Sequence, residues 1–165
     1  MKKTGIYVGV LLFVCLLFLS GKEAVCSVSD DAQPQGKFNI GIFIPAGITL
    51  KFWTKGESAF DLKASWGTEK EETKIFCDYL WHKFDFFKED FFKEKENTAL
   101  YYGVGGKIQS CKEHDKVGLR FVFGIDFIFT NVPFDLFIEI SPTLLLSPET
   151  ELEIEPAIGL RYIFR

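Results

Sequence analysis

The sequence predicts an all-β fold, an eight-stranded antiparallel up-and-down transmembrane β-barrel. Three observations carry that expectation. From residue 37 onward, apolar side chains recur with a period of two, which is the periodicity of a pleated strand. The segments between these runs are too short for the dozen or more residues that a parallel crossover needs, so neighbouring strands must alternate in direction. Opposite the apolar face stand charges of both signs and glycines, too polar a set for the core of a soluble sandwich.

The clearest strand is 117–130, VGLRFVFGIDFIFT. Its odd positions, Val117, Leu119, Phe121, Phe123, Ile125, Phe127 and Phe129, form an unbroken apolar row. Gly118, Arg120, Gly124 and Asp126 occupy the other side. The row exceeds the roughly five or six residues of an ordinary soluble strand and suits the 9 to 11 residues, about, with which a tilted strand crosses a bilayer.

The other strands follow in order. Residues 37–44 and 48–53 flank IPAG, and in the second Ile48, Leu50 and Phe52 oppose Thr49 and Lys51. After TKGE, residues 58–67 set Phe60, Leu62, Ala64 and Trp66 against Asp61, Lys63, Ser65 and Gly67. TEKEE precedes 73–85, and KEDFFKEKEN precedes 98–110, where Leu100, Tyr102, Val104 and Ile108 oppose Gly103, Gly105, Lys107 and Gln109. CKEHDK leads into 117–130, NVP into 134–145 and SPET into 151–164. The separators gather Pro, Asn, Asp, Ser and charge, the turn-forming composition. In the last two strands Phe134, Leu136, Ile138 and Ile140 oppose Asp135, Phe137, Glu139 and Ser141, and Leu152, Ile154, Ile158, Leu160, Tyr162 and Phe164 oppose Glu153, Glu155, Ala157, Gly159 and Arg161.

Composition narrows the function classes. The chain has 165 residues, net charge -4 and 19 Phe, with a pI near 5.3. One barrel domain over 37–165 fits this length, and the acidic balance gives no footprint for nucleic acid. Ahead of the barrel, Lys2 and Lys3 precede an apolar stretch at 6–19 followed by small and polar residues, the pattern of a cleaved secretory signal over 1–27. Residues 28–36 then form a short linker. Val25 and Ser27 meet the small-x-small cleavage rule, whereas Glu23 to Cys26 fits a lipidation site poorly. No later apolar run approaches the roughly 20 residues of a membrane helix.

The polar faces combine into one expected lumen network: Lys51, Lys63, Lys107, Arg120 and Arg161 against Asp61, Asp78, Asp126, Glu139, Glu153 and Glu155, with His82 on the same face as Asp78. Five cations against six anions can neutralise one another inside a narrow barrel, where an unpaired ion is costly. Eight strands leave an interior that side chains roughly fill, and closure satisfies the backbone groups that lipid cannot. His82 is expected as a hydrogen-bonded lumen residue, His114 as part of a solvated loop, and neither has zinc-site spacing. Glu151, Glu153 and Glu155 read as structural carboxylates. GVGG at 103–106 lies within a strand and precedes no helix, so it is no dinucleotide cradle. No catalytic set, cofactor site or metal site is expected. Cys77 and Cys111 fall on adjacent strands near one rim, which allows a disulfide in an oxidising compartment.

Gly159, Tyr162 and Phe164 in AIGLRYIFR resemble the C-terminal assembly signal of outer-membrane barrels, with Arg165 as a departure. Together with DYLWHKFDFF, ALYYGVGGKI and PFDLFIEISP, the segment from 37 onward resembles the small OmpA/OmpX-type barrels and a group of short-loop barrels of unknown function. The resemblance implies the outer membrane of a Gram-negative cell envelope, with outer-membrane lipid and the barrel assembly machinery as partners. It implies no reaction and no oligomeric state. The expected role is structural or surface-contact, and the alternative is a small pore or a carrier for apolar ligands. With both barrel ends periplasmic, the longest connection, KEDFFKEKEN, falls on the periplasmic side, the inverse of the usual arrangement, unless Phe86, Phe87, Phe91 and Phe92 join an interfacial girdle.

Overall fold

Period-two alternation leaves each segment one apolar face, and eight such segments bury their polar faces together only by closing a ring. The computed structural model describes residues 38–54, 56–67, 72–84, 98–111, 115–129 and 131–164. They form β1 (Phe38–Ile44), β2 (Gly47–Trp53), β3 (Ser58–Trp66), β4 (Thr73–Lys83), β5 (Thr98–Ser110), β6 (Lys116–Ile128), β7 (Phe134–Ser147) and β8 (Glu151–Phe164). Every strand pairs antiparallel with the next, and β8 returns to β1, giving a closed up-and-down barrel. The expected signal segment, the linker, His114, KEDFFKEKEN and Phe86, Phe87, Phe91 and Phe92 lie outside the described residues.

Strand limits depart little from expectation. β7 continues past residue 145 to Ser147, while β4 stops at Lys83 and β6 at Ile128. A bulge at Val117/Gly118 shifts the β6–β7 register near one rim, a usual place for such irregularities. Gly56, in the turn between β2 and β3, has φ of 79°, a left-handed conformation that side chains disfavour.

Successive register partners, from Phe38 through Phe52, Phe60, Tyr79, Val104 and onward to β8, return to β1 displaced by about ten residues. That stagger corresponds to strands tilted by about 40° from the barrel axis. The rim that holds the start of β1 and the end of β8 is termed the lower rim, and the opposite one the upper.

The side-chain distribution is the inverse of a soluble protein. Phe123 is 52% exposed and Ile42 67%, whereas Lys51, Asp61, Lys107 and Asp126 are fully buried. Cys77 and Ile108 are buried although their parity assigns them outward. Aromatic rings collect on the outside towards the lower rim. Phe38 lies 5.1 Å from Phe52 and 5.3 Å from Phe164, and Tyr162 is 5.4 Å from Phe134. Around the wall, Phe60, Tyr79, Trp81 and Tyr102 continue the series at 4.9, 4.9 and 5.8 Å between neighbours.

Wall height is uneven. β1 and β2 have 7 residues each, β7 and β8 have 14. Ile44, the top of β1, pairs with Ile158. Among the described residues, positions 151–157 of β8 therefore pair only with β7.

Inside, a Cβ at Gly124 would overlap the Tyr101 ring. Gly124→Val should therefore destabilise the barrel by about 1–3 kcal/mol, the usual cost of overpacking, measured by chemical denaturation against the parent. An unchanged midpoint would contradict the Tyr101 placement.

Candidate functional site

The inward positions of all eight strands build one polar column, and the stagger sorts it into three layers. At the lower rim Arg161 of β8 is central. Its Nη2 donates to Asp61 Oδ2 at 2.7 Å, its Nη1 to Asp126 Oδ1 at 3.3 Å and Asp135 Oδ1 at 3.4 Å, and its Nε to Thr49 Oγ1 at 3.2 Å. Lys51 Nζ donates to Asp126 Oδ2 across the barrel. Asn39 donates to Asp135 at 2.6 Å and Thr49 to Asp61 at 2.8 Å. His82 Nε2 lies 3.2 Å from Asp126 Oδ2, its Nδ1 3.2 Å from the Glu57 carbonyl, and its ring 4.4 Å from that of Trp53.

The middle layer centres on Glu139 of β7. Lys63 Nζ donates to both Glu139 oxygens at 2.8 Å and stands 3.1 Å from Asp61 Oδ2. Tyr101 Oη donates to Glu139 Oε2 at 2.9 Å, and Arg120 Nη2 to Glu139 Oε1 at 3.2 Å and Ser141 Oγ at 2.8 Å. Asp78 is 3.1 Å from Arg120 Nε and 3.8 Å from Lys63 Nζ. Both are ion-pair separations, but neither Asp78 oxygen has hydrogen-bond geometry with a partner. Its charge is balanced while its lone pairs are poorly met.

The upper layer is wetter. Lys107 Nζ donates to Glu153 at 2.6 Å and Glu155 at 2.8 Å, and Lys74 donates to Glu155 at 3.1 Å. Lys107 is fully buried, yet the side chains of Glu153, Glu155 and Lys74 are 26%, 20% and 29% exposed. This layer is the mouth of the column.

Apolar groups wedge between the charges. Phe43, Phe76, Leu80, Tyr101, Val122 and Phe137 pack as one inner cluster. The Arg161 guanidinium lies 3.8 Å from the Phe137 ring centroid and that of Arg120 4.4 Å from Phe76, so each planar cation stacks on an aromatic face while its edge meets carboxylates.

All twelve lumen residues expected from the sequence lie on the inner face, with Glu153 and Glu155 at its open end. His82 shares the inner face with Asp78; its ring meets Asp126, whereas Asp78 lies towards Arg120 and Lys63. Asp135, Asn39, Thr49, Tyr101, Ser141 and Lys74 were missed as network members. Asp135 carried a signal, because it shares the parity of Glu139. Tyr101 carried the same signal, since it shares the parity of Gly103, Gly105 and Lys107, although its aromatic ring resembles an outward one. Gly159 faces inward against Phe137, while Tyr162 and Phe164 face outward, 4.9 Å apart.

The disulfide expectation is corrected. Cys77 pairs in register with Gly106, and Cys111 follows Ser110, whose partner is Thr73. Several rungs at roughly 3.3 Å each separate the two, beyond the span of about 7 Å that a disulfide tolerates between Cα atoms, and neither is disulfide-bonded. Among the described residues, no His, Cys, Asp and Glu side chains group so as to hold a metal ion. Protein-family models, curated proteins and solved structures give no match to this chain.

Burial separates structural pairs from peripheral ones. Arg161→Met removes the cation shared by Asp61, Asp126 and Asp135 from a dry layer, leaves Asp135 without an ion-pair partner among the described residues, and should cost about 3–5 kcal/mol. Glu153→Gln, at the wet mouth, should cost under about 1 kcal/mol. Denaturation of the two variants in parallel checks the order, and equal losses would refute the layered assignment.

Proposed function

We propose that this chain is an outer-membrane β-barrel whose role is structural, a stabilising wall element with a plugged lumen. The observation that supports this reading most is that the inner ion pairs cross the lumen. Lys51 on β2 meets Asp126 on β6, Lys63 on β3 meets Glu139 on β7, and Arg161 on β8 meets Asp61 on β3. A continuous water column would require these pairs to part. The exposed apolar exterior and its aromatic band are what an acyl-chain environment and its interface favour. The basic and apolar N-terminal residues fit export. Tyr162 and Phe164 on the outer face would be available to an assembly machinery.

A surface-contact role would have to rest on the other upper-rim connections, since residues 45–46 and 148–150 are too few to form a projecting loop. The carrier alternative has one observation in its favour, a cavity of about 220 Å³ at the upper end.

Three measurements test the reading. The mature chain should stay with membranes through carbonate extraction and migrate differently in unboiled and boiled gels; recovery in a soluble fraction would defeat it. Planar-bilayer recordings of the purified protein should show no steady large conductance, and such channels would favour a pore. Phe123→Arg should lose about 2–4 kcal/mol of stability in lipid if the site is near the bilayer midplane, and folding in lipid as readily as the parent would sink the outward assignment.

A further inference from the structure

The barrel is level at one end and ramped at the other. With strands tilted by about 40° and rising roughly 3.3 Å per residue, the register brings the lower ends of all eight to within about 5 Å of one height. The upper ends climb around the ring, from about 15 Å on β1 and β2 through about 25 Å on β4 to about 30 Å on β7 and β8. Where β8 returns to β1, the wall drops to about half its height.

The apolar band of such barrels is about 25 Å tall, so β4 to β8 match it and the β1–β2 hairpin falls short by about 10 Å. Outward side chains show the same step. Ile44 is the last on β1, whereas Leu146 and Leu152 carry the exposed apolar face to the top of β7 and β8. The rings gathered towards the lower rim, among them Phe38, Phe52, Tyr162 and Phe164, hold that end at an interface. The deficit therefore lies at the top.

The edge of β8 that overlooks the gap is polar. Ile163 N donates to the Pro133 carbonyl at 2.8 Å, which turns the main-chain groups of odd positions in β8 towards β7 and those of even positions towards β1. Above Ile158, whose partner Ile44 ends β1, the N–H groups of Leu152 and Ile154 and the carbonyls of Leu152, Ile154 and Pro156 point into the gap with no strand to receive them among the described residues. Pro156 stands at an even position, where its ring removes one donor from the edge. Nearby, the side chains of Glu155 and Lys74 are partly exposed. Acyl chains cannot satisfy such groups, and leaving them bare in hydrocarbon is costly. A second copy cannot supply the missing strand either, since two barrels upright in one membrane are related by an axis along its normal, and their β8 edges, each tilted by about 40°, would cross at about 80°.

On the outer-membrane reading, on which this inference rests, we propose that the outer leaflet is thinned along the β1–β2 hairpin, with lipid headgroups and their water drawn down to the β8 edge at a depth that is hydrocarbon around the rest of the barrel. Thinning is an ordinary response of a bilayer to a short apolar stretch. Here it is confined to one side of the molecule.

The test uses the purified barrel in phosphatidylcholine nanodiscs, both faces open to solution, with a charged maleimide that hydrocarbon excludes. Ile44 and Ile48 on the short side stand at about the same height as Phe121 and Ile140 on the tall side, roughly 13–15 Å above the lower rim, and all four side chains are exposed. Ile44→Cys and Ile48→Cys should label on the order of tenfold faster than Phe121→Cys and Ile140→Cys, because only the first two meet water. Peptide mapping reads each site separately from Cys77 and Cys111. Uniformly slow labelling means that acyl chains fill the gap, and it overturns the proposal. Slow labelling of Ile44→Cys together with a dimer cross-linked through it does the same and assigns the gap to a second copy. Fast labelling with a barrel axis steeply inclined in polarised infrared spectra also overturns it, since tilting would then have carried the short side to the surface. Uniformly fast labelling, or protein that does not enter the discs, defeats the outer-membrane reading as well.

Discussion

Neutralisation of charge inside a closed ring is the constraint on which the rest of the structure depends. Once β8 pairs with β1, every inward side chain is committed to a lumen that eight strands barely leave room for. Carboxylates and cations placed there cannot turn back to solvent. Arg161 answers this by contacting Asp61, Asp126 and Asp135 at once, and Glu139 by accepting from Lys63, Arg120 and Tyr101. Each hub draws on several strands, so no strand can shift register without unbalancing its neighbours. A slip of one residue would also turn the whole apolar set inward.

The layers differ in what they demand of their residues. The lower layer combines Lys51 and Arg161 with Asp61, Asp126 and Asp135, and Lys63 of the middle layer, 3.1 Å from Asp61, links the two layers. The stacked aromatics explain how bulky cations are accommodated. Phe137 and Phe76 each cover a guanidinium face that has no in-plane donor, which spares carboxylates for its edges. Inner phenylalanines thus belong to the polar machinery as much as to the apolar cluster.

Most of the fold was legible because parity is a geometric necessity of the strand. Arg120 and Asp126 face inward for the same reason that Phe121 and Phe123 face outward, and a sequence states parity directly. Strand ends were less legible, as with β4 ending at Lys83, because fraying is settled by neighbours. Partner choice was not legible. That His82 meets Asp126, two strands away, follows from the stagger around the ring, which no single strand encodes. The cysteines illustrate the same limit. Adjacency of β4 and β5 could be read, but the register that holds Cys77 and Cys111 apart belongs to the pairing of whole strands.

The cross-lumen pairs carry a consequence for the order of folding. Lys63 and Glu139 are 76 positions apart in the chain, and Arg161 and Asp61 are 100. Neighbouring hairpins can form with local contacts, yet none brings these ions together, and contacts so distant in sequence form late. Until β1 and β8 meet, the interior stays open to water and its charges remain hydrated. Closure of that last seam and drying of the column are therefore one event, and an incompletely zipped barrel is a hydrated gutter with none of the electrostatic stability of the finished one.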